Sequence, residues 1–94
     1  MIDHKVVTVD DIDIGNSLPF TLIAGPCVVE SEDHALKTAK TISDVSNKLG
    51  INFVYKSSFD KANRTSMNSE RGLGLEKSKE IFKEIKKVIG CPII

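Results

Sequence analysis

The sequence has no tryptophan, a single tyrosine and only two cysteines, Cys27 and Cys91. Two cysteines are too few for the disulfide framework of a small secreted domain, so we expect a reducing, cytoplasmic setting. The longest apolar runs are a few residues, far short of the roughly 20 needed to span a bilayer. The opening residues also lack the apolar segment of a signal peptide. These features argue against a secreted or membrane-spanning protein.

The chain also lacks an excess of either charge, because its 94 residues include 13 basic and 13 acidic side chains. Neither nucleic acid nor an anionic membrane is therefore an expected partner. The hydrophobic fraction of 40% and the charged fraction of 28% are typical of a globular protein. No internal repeat, low-complexity tract or domain boundary interrupts the sequence.

The first quarter of the chain predicts a hairpin and a strand. Valine-rich residues at 6–9 and alternating residues at 12–14 flank Asp10-Asp11, which is typical of a β-hairpin. The short apolar run at 20–24 ends at Gly25-Pro26. Its length and its stop favour a buried strand.

A helix is predicted between Ser31 and Gly50. Ser31 is a suitable N-cap, carboxylates follow it in the first turn, and Gly50 is a suitable stop. Apolar residues recur between them at helical spacing: Leu36, Ala39, Ile42, Val45 and Leu49. Residues 51–56 then predict a second strand, since they are rich in β-branched and aromatic side chains.

A long polar loop at 57–74 separates that strand from a second predicted helix. Loops of this length are usually functional or disordered. The helix carries an apolar stripe of Ile81, Phe82, Ile85, Val88 and Ile89. Three Glu/Lys pairs at i,i+3 spacing lie on its polar face, namely Glu76/Lys79, Glu80/Lys83 and Glu84/Lys87. Residues 91–94 then predict the beginning of a third strand.

Strands that alternate with helices indicate an α/β fold with a parallel sheet. Three strands with helices on one side leave an apolar face and both edges open, so we expect the chain to be part of something larger. A (β/α)₈ TIM barrel needs about 250 residues. We therefore expect a truncated barrel, with an N-terminal hairpin at 1–18, then the first two βα units and the third strand at 19–94.

The densest group of chemically useful residues is KSSFDKANRTS, from Lys56 to Ser66. It begins at the carboxyl end of a predicted strand, where parallel α/β folds bind ligands. Lysine charge, an arginine fork and neutral hydroxyl and amide donors suit a phosphate. On spacing alone a solvated polar loop explains the segment equally well.

A second group, AGPCVVES from Ala24 to Ser31, follows the preceding strand and is expected on the same rim as Lys56. Cys27 could be a nucleophile, a metal ligand or an inert small apolar residue. A nucleophile usually needs a nearby base, and neither His4 nor His34 forms a recognisable dyad with it. The residues alone leave these alternatives open.

Together with RGLGLE at 71–76, these two segments resemble 3-deoxy-manno-octulosonate 8-phosphate synthase over essentially the whole chain. The resemblance implies a TIM barrel whose bottom is closed by the hairpin. It implies that Lys56 and Ser58 bind phosphoenolpyruvate. It assigns the arabinose 5-phosphate loop to Lys61, Asn63, Arg64 and Thr65. Lys61 is also the expected catalytic residue, and serine is usual at the Thr65 position.

The same resemblance implies that Cys27 is a metal ligand, because cysteine at its position goes with the divalent-metal-dependent branch of the family. Thiolate binds Zn²⁺ or Fe²⁺ well, and Mn²⁺ is a third candidate. The remaining family ligands, a histidine, a glutamate and an aspartate, are expected beyond Ile94. The implied partners are the two substrates and further copies of the chain, in a tetramer.

The implied reaction joins C3 of phosphoenolpyruvate to the aldehyde carbon of arabinose 5-phosphate and releases phosphate, for lipopolysaccharide synthesis. Three rival hypotheses stand beside it. They are an inactive remnant of the same enzyme, the sister synthase that uses erythrose 4-phosphate, and a small phosphate-binding module. By itself the 94-residue chain is expected to be poorly folded or dependent on a partner, and catalytically inert.

Overall fold

Strands and helices alternate after an initial hairpin in the computed structural model, which describes residues 5–60 and 73–94. The elements are β1 (Val7–Val9), β2 (Ile12–Ile14), β3 (Thr21–Ala24), α1 (Glu32–Leu49), β4 (Asn52–Tyr55) and α2 (Leu75–Val88). The predicted order and the α/β class are therefore confirmed. The two later strands are each slightly shorter than expected, so Lys56 lies just beyond β4.

The hairpin pairs β1 with β2 in antiparallel register, from Val7 opposite Ile14 to Val9 opposite Ile12. Asp10 turns the chain with a φ of 52°, a left-handed conformation that aspartate tolerates better than most residues. Its carboxylate lies 3.2 Å from the Lys86 ammonium of α2. This exposed ion pair links the hairpin to α2.

The ends of α1 follow the capping pattern in the sequence. The Ser31 hydroxyl accepts a hydrogen bond from the His34 N–H at 3.1 Å, which satisfies a free donor of the first turn. Gly50 adopts a left-handed φ of 67°, and its N–H donates to the Asn47 carbonyl at 3.2 Å. Both ends of α1 are therefore fixed by local contacts.

Helix α2 begins after Gly74 and ends at Val88. Two of the expected pairs on its polar face are present, Glu76 with Lys79 at 3.8 Å and Glu80 with Lys83 at 4.0 Å. Such exposed pairs contribute little stability, so α2 depends mainly on its packing. Neither of the described helices combines the length and hydrophobicity needed to cross a membrane.

Strands β3 and β4 are parallel, with Thr21 opposite Asn52 and Ala24 opposite Tyr55. On the other side of β4, Ile93 forms a parallel bridge with Tyr55, and the Ile94 N–H donates to the Tyr55 carbonyl at 2.9 Å. The described residues thus form one parallel bridge beside β4, at the place where the sequence predicts the beginning of a third strand. The carboxyl ends of these parallel segments meet at one edge, which we call the rim.

Both helices cover the same face of the parallel sheet. Phe53 and Tyr55 pack there in one core with Ala35, Ala39, Ile81 and Ile85. Tyr55 also meets the Phe82 ring edge-on, with centroids 6.3 Å apart.

The opposite face of β3 is less covered than predicted. Ile23 is 46% exposed and Phe20, just before the strand, is 67% exposed, so the expectation of a fully buried strand is wrong for these positions. Val45 and Leu49 of α1 are also exposed. Burial of these four positions needs partners on the side away from the core, and the described residues do not supply them there.

Candidate functional site

A cavity of about 600 Å³ lies at the rim. Its walls are the carboxyl end of β3, the segments that follow β3 and β4, and Ile94 beside β4. The lining residues are Ile23, Ala24, Gly25, Pro26, Cys27, Lys56, Ser57, Ser58, Phe59 and Ile94. Parallel α/β folds bind their ligands at this end of the strands, so the cavity is the candidate site.

Cys27 and Lys56 both face this cavity and are both exposed. The sequence predicted this juxtaposition from the position of each residue after a parallel strand. The rim therefore presents a thiol and an ammonium group to one space. Their roles in binding stay predictions.

Main-chain hydrogen bonds hold the two rim segments together beyond the strands. The Lys56 N–H donates to the Ala24 carbonyl at 3.0 Å, and the Ser58 N–H donates to the Cys27 carbonyl at 3.3 Å. The Val29 N–H returns a bond to the Ser58 carbonyl at 2.9 Å. The backbone that carries Cys27 and Lys56 is therefore part of the sheet rather than a free loop.

Ser58 forms a tight turn at the cavity wall. Its hydroxyl donates to the Asp60 carbonyl at 2.7 Å, and the Asp60 N–H donates back to that hydroxyl at 3.3 Å. The side chain predicted to bind phosphoenolpyruvate thus already has a main-chain acceptor. An anion would receive the hydroxyl proton only after the hydroxyl turned away from Asp60.

The four residues predicted to bind the sugar phosphate fall outside the described part of the chain. They are Lys61, Asn63, Arg64 and Thr65. The described chain ends at Asp60 on one side of them, directly after the cavity residues Ser58 and Phe59. It resumes at Leu73, whose N–H donates to the Val29 carbonyl at 3.2 Å.

Two buried titratable groups, Tyr55 and Cys91, lie in the core on the helix side of the sheet. Burial raises the pKa of the Tyr55 phenol above its usual 10.0, a shift that the nearby Ser57 hydroxyl partly opposes and the Cys91 thiol increases. Burial likewise raises the pKa of Cys91 above 9.0, against main-chain donors that lower it. The Ser57 hydroxyl donates to Pro26 rather than to Tyr55, whose hydroxyl has no hydrogen-bond partner among the described residues. Both groups are neutral near pH 7.

Cys27 is the rim residue with the chemistry of a metal ligand. An exposed thiol facing a cavity fits one position in a Zn²⁺ or Fe²⁺ coordination sphere. Within residues 5–60 and 73–94, no group of three or more His, Cys, Asp or Glu side chains could hold a metal ion. The described residues therefore supply fewer ligands than the three or four that protein metal sites usually have.

Two rim features had no signal strong enough to predict their roles. The sequence predicts Gly25-Pro26 only as the end of a strand, although a Cβ on Gly25 would clash with the Lys56 carbonyl. It indicates Ser57 only as one polar residue of the loop, yet the Ser57 hydroxyl donates to the Pro26 carbonyl at 2.8 Å across the rim. Both contacts join residues far apart in sequence, so periodicity and local propensity contain no trace of them.

Curated relatives match nearly the whole chain. A 2-dehydro-3-deoxyphosphooctonate aldolase from Rickettsia typhi is 58% identical over 90 residues, which are 96% of this chain and 33% of the relative. Proteins of the same name from Rickettsia bellii and Bartonella quintana are each 53% identical over 91 residues, which are 97% of this chain and 33% of the relative. The chain thus spans about a third of the length of these relatives.

The family comparison agrees with these relatives and with the resemblance in the two rim segments. Residues 3–94 match the family described as the DAHP synthetase I family. This match includes the hairpin, both rim segments and the predicted sugar-phosphate loop. The chain belongs to the DAHP synthetase I family.

Proposed function

We propose that this chain forms part of the substrate site of an enzyme that condenses phosphoenolpyruvate with arabinose 5-phosphate. C3 of phosphoenolpyruvate forms a bond to the aldehyde carbon of the sugar, and water adds at C2. The C–O bond to phosphate then breaks, which releases inorganic phosphate and leaves 3-deoxy-D-manno-octulosonate 8-phosphate. In this proposal the product enters lipopolysaccharide synthesis in the cytoplasm.

The observation that supports this proposal most is the shared cavity of Lys56 and Cys27. Both substrates carry several negative charges, so a site for them needs fixed cations and hydrogen-bond donors. Lys56 supplies a cation at the rim, and its backbone is held by the hydrogen bond to Ala24. We assign the Lys56 ammonium to an anionic group of phosphoenolpyruvate, where it would also offset charge that develops on the reacting atoms.

Ser58 is the second proposed phosphoenolpyruvate ligand. Its hydroxyl now donates to a neutral carbonyl, that of Asp60, at 2.7 Å. Hydrogen bonds to charged acceptors are about twice as strong as those to neutral ones. Exchanging the Asp60 carbonyl for a carboxylate or phosphate oxygen is therefore favourable, and the turn at 58–60 would open slightly when the substrate binds.

The arabinose 5-phosphate loop directly follows this turn. We assign its phosphate and hydroxyl contacts to Lys61, Asn63, Arg64 and Thr65, with Lys61 as the catalytic residue. Support comes from chemistry and sequence position, because these cationic and polar side chains begin two residues after Phe59, the last residue of the cavity wall before them. The arginine would reach the sugar phosphate of a neighbouring subunit in a homotetramer.

A divalent metal, Zn²⁺, Fe²⁺ or Mn²⁺, is part of the proposal through Cys27. The exposed thiol supports one coordination position, and the other ligands would come from outside the described residues. When bound, the metal would act as a Lewis acid that orients and polarises the aldehyde or water. The contribution of this chain is to hold the Cys27 thiolate on the side of the cavity that Lys56 also faces.

The surrounding architecture in this proposal is a (β/α)₈ barrel of about 250 residues. The chain would supply its hairpin, its first two βα units and the beginning of its third strand. Support comes from the parallel order of β3, β4 and the Ile93 bridge, with both helices on one face. The open face, with Ile23 and Phe20, would then meet the interior of the barrel.

The test uses a hybrid enzyme, defined as the Rickettsia typhi relative with its matching third replaced by residues 1–94. The 58% identity of the two segments makes this exchange conservative. We expect the hybrid to release phosphate from phosphoenolpyruvate when arabinose 5-phosphate is present and to lose most of this activity in Lys56→Ala. The unaltered relative shows that the assay works, and circular dichroism shows that the hybrid is folded.

Three results would count against the proposal. A folded hybrid that turns over with neither sugar favours an inactive remnant. Turnover with erythrose 4-phosphate in preference to arabinose 5-phosphate favours the sister synthase. Unchanged turnover in Lys56→Ala would remove the proposed role of the rim, whatever the sugar.

A further inference from the structure

The pairing of the two rim segments changes register by one residue. Within the strands Ala24 lies opposite Tyr55, whereas beyond them Val28 bridges to Ser58. Gly25, Pro26 and Cys27 therefore lie opposite only Lys56 and Ser57 between these pairs. One extra residue on one strand of a pair is a β-bulge. Bulges of this kind are common beside active sites, where they re-aim a side chain.

The hydrogen bonds beside the bulge leave one carbonyl unpaired in the ladder. The Lys56 N–H donates to the Ala24 carbonyl. In a regular parallel ladder the Ser58 N–H would donate to the Pro26 carbonyl, but it donates to the Cys27 carbonyl instead. Pro26 has no N–H to donate to the ladder, and within sheets proline is confined to positions such as edges and bulges. Its carbonyl is instead paired by a side chain, since the Ser57 hydroxyl donates to it at 2.8 Å.

The bulge lies between Cys27 and the buried Val29. Cys27 is exposed and lines the cavity together with Ile23, as alternate residues of one strand do. Leu22 and Ala24 pack on the helix side, and so does Val29, although regular alternation would place Val29 on the side of Ile23 and Cys27. The extra residue therefore changes the alternation directly after Cys27, which lets the Cys27 thiol face the cavity while Val29 packs in the core.

We propose that Ser57 is a positioning residue whose hydroxyl holds this bulge and thereby fixes the Cys27 thiol relative to Lys56. This role does not require Ser57 to contact a substrate, because it is exerted through the Pro26 carbonyl. Lys56 keeps its own main-chain bond to Ala24, so loss of the Ser57 hydroxyl mainly displaces Cys27. The kinetic consequence rests on the proposed function above, whereas the structural consequence does not.

Two measurements on the hybrid enzyme test this role, with Ser57→Ala as the disruptive variant and Ser57→Thr as the variant that keeps a hydroxyl. Amide hydrogen exchange should accelerate about tenfold at Ser58 and Val29 in Ser57→Ala and stay unchanged in α1. The kcat should fall about tenfold, as is usual when a residue that supports a ligand is lost, with KM for phosphoenolpyruvate within about twofold. Ser57→Thr should restore both values.

The control is Ser43→Ala, since Ser43 lies on α1 beside a different hollow at the amino end of β4. Ser43→Ala should leave the amide hydrogen exchange of Ser58 and Val29 unchanged, and likewise the kcat and the KM. Unchanged exchange at Ser58 and Val29 in Ser57→Ala overturns the proposal, as does a Ser57→Thr variant as impaired as Ser57→Ala. If the unsubstituted hybrid shows no turnover, the proposed function fails, and the exchange comparison alone still decides the role of Ser57.

Discussion

Gly25 lies so close to the main chain of Lys56 that no side chain fits between them. A Cβ on Gly25 would be 2.9 Å from the Lys56 carbonyl carbon and closer still to its oxygen. Glycine permits this approach because it has no Cβ. The contact brings the two rim segments together, and the cavity shared by Cys27 and Lys56 depends on it.

Replacing Gly25 with alanine should therefore damage both stability and the site. We expect a loss of about 1–3 kcal/mol in the free energy of unfolding of the hybrid enzyme, because backbone atoms must move to relieve the clash. The KM for phosphoenolpyruvate should rise as Lys56 shifts. Chemical denaturation and steady-state kinetics measure the two effects.

Gly50→Ala is the matched control for that substitution. Gly50 has a φ of 67°, but a Cβ added to it would meet only open space, so alanine there costs about 1–2 kcal/mol of backbone strain alone. It should lower stability without changing the KM. If Gly25→Ala behaved like Gly50→Ala in both measurements, the close approach would not matter for the site.

Lys56→Ala should weaken phosphoenolpyruvate binding. Loss of a hydrogen bond to a charged group corresponds to about a 10- to 100-fold rise in KM or Kd. Lys56→Arg should recover part of the loss, since it restores the charge but not the same geometry. Lys48→Ala, on the last turn of α1, is the control and should bind normally. Equal affinity for Lys56→Ala and Lys48→Ala would rule out Lys56 as a ligand.

Cys27 variants test the proposed metal ligand. Cys27→Ala should abolish metal-dependent turnover in the hybrid enzyme and lower its metal content, measured by atomic emission after dialysis. Cys27→Asn should retain some turnover in the presence of a chelator, because the family resemblance implies that the metal-independent branch carries asparagine at this position. Full activity of Cys27→Ala with a chelator present would exclude the ligand role.

Alkaline pH should destabilise the fold through Cys91 and Tyr55. Their folded-state pKa values are raised above 9.0 and 10.0, whereas the unfolded chain ionises near those values. Above about pH 9 the unfolded state therefore binds fewer protons than the folded state, and stability falls as pH rises. Above pH 9, the Tm of the hybrid enzyme should fall less steeply with pH when it carries Cys91→Ala or Tyr55→Phe than when it carries neither substitution. If the Tm fell equally steeply with pH in all three proteins, Cys91 and Tyr55 would not be the cause of the alkaline destabilisation.

Tyr55→Phe should in addition cost little at neutral pH. The ring stays packed against Phe82, and the hydroxyl has no hydrogen-bond partner among the described residues. Removing a buried, unpaired polar group is nearly neutral or stabilising. A loss of several kcal/mol at pH 7 would show that the hydroxyl is paired after all.

Local signals in the sequence predicted most of the fold. Helix α1 begins after Ser31 and ends before Gly50, as the capping chemistry of these residues predicts. The Asp10-Asp11 turn between alternating residues predicts the hairpin. The order of strands and helices then required parallel pairing, and with it a shared rim for Cys27 and Lys56. Each of these inferences depends on residues near one another in the chain or on a general rule of topology.

The exposure of Ile23 and the bulge at Gly25–Cys27 could not be predicted in the same way. The exposure of a strand residue depends on which other elements cover its face of the sheet. An apolar run in the sequence contains no information about those elements. The bulge depends on a contact between Gly25 and Lys56 and on a hydrogen bond between Ser57 and Pro26, both across the sheet. Only the pairing register reveals them.

A crystal structure of the hybrid enzyme with phosphoenolpyruvate tests most directly the claim that this rim binds that substrate. We expect the ligand in the cavity between the two rim segments, with the Lys56 ammonium about 2.7–2.9 Å from a carboxylate or phosphate oxygen. We also expect the Cys27 thiol on the wall of the same cavity. Phosphoenolpyruvate bound elsewhere, or bound there with the Lys56 ammonium more than about 6 Å from every anionic oxygen, would show that the rim is not its binding site.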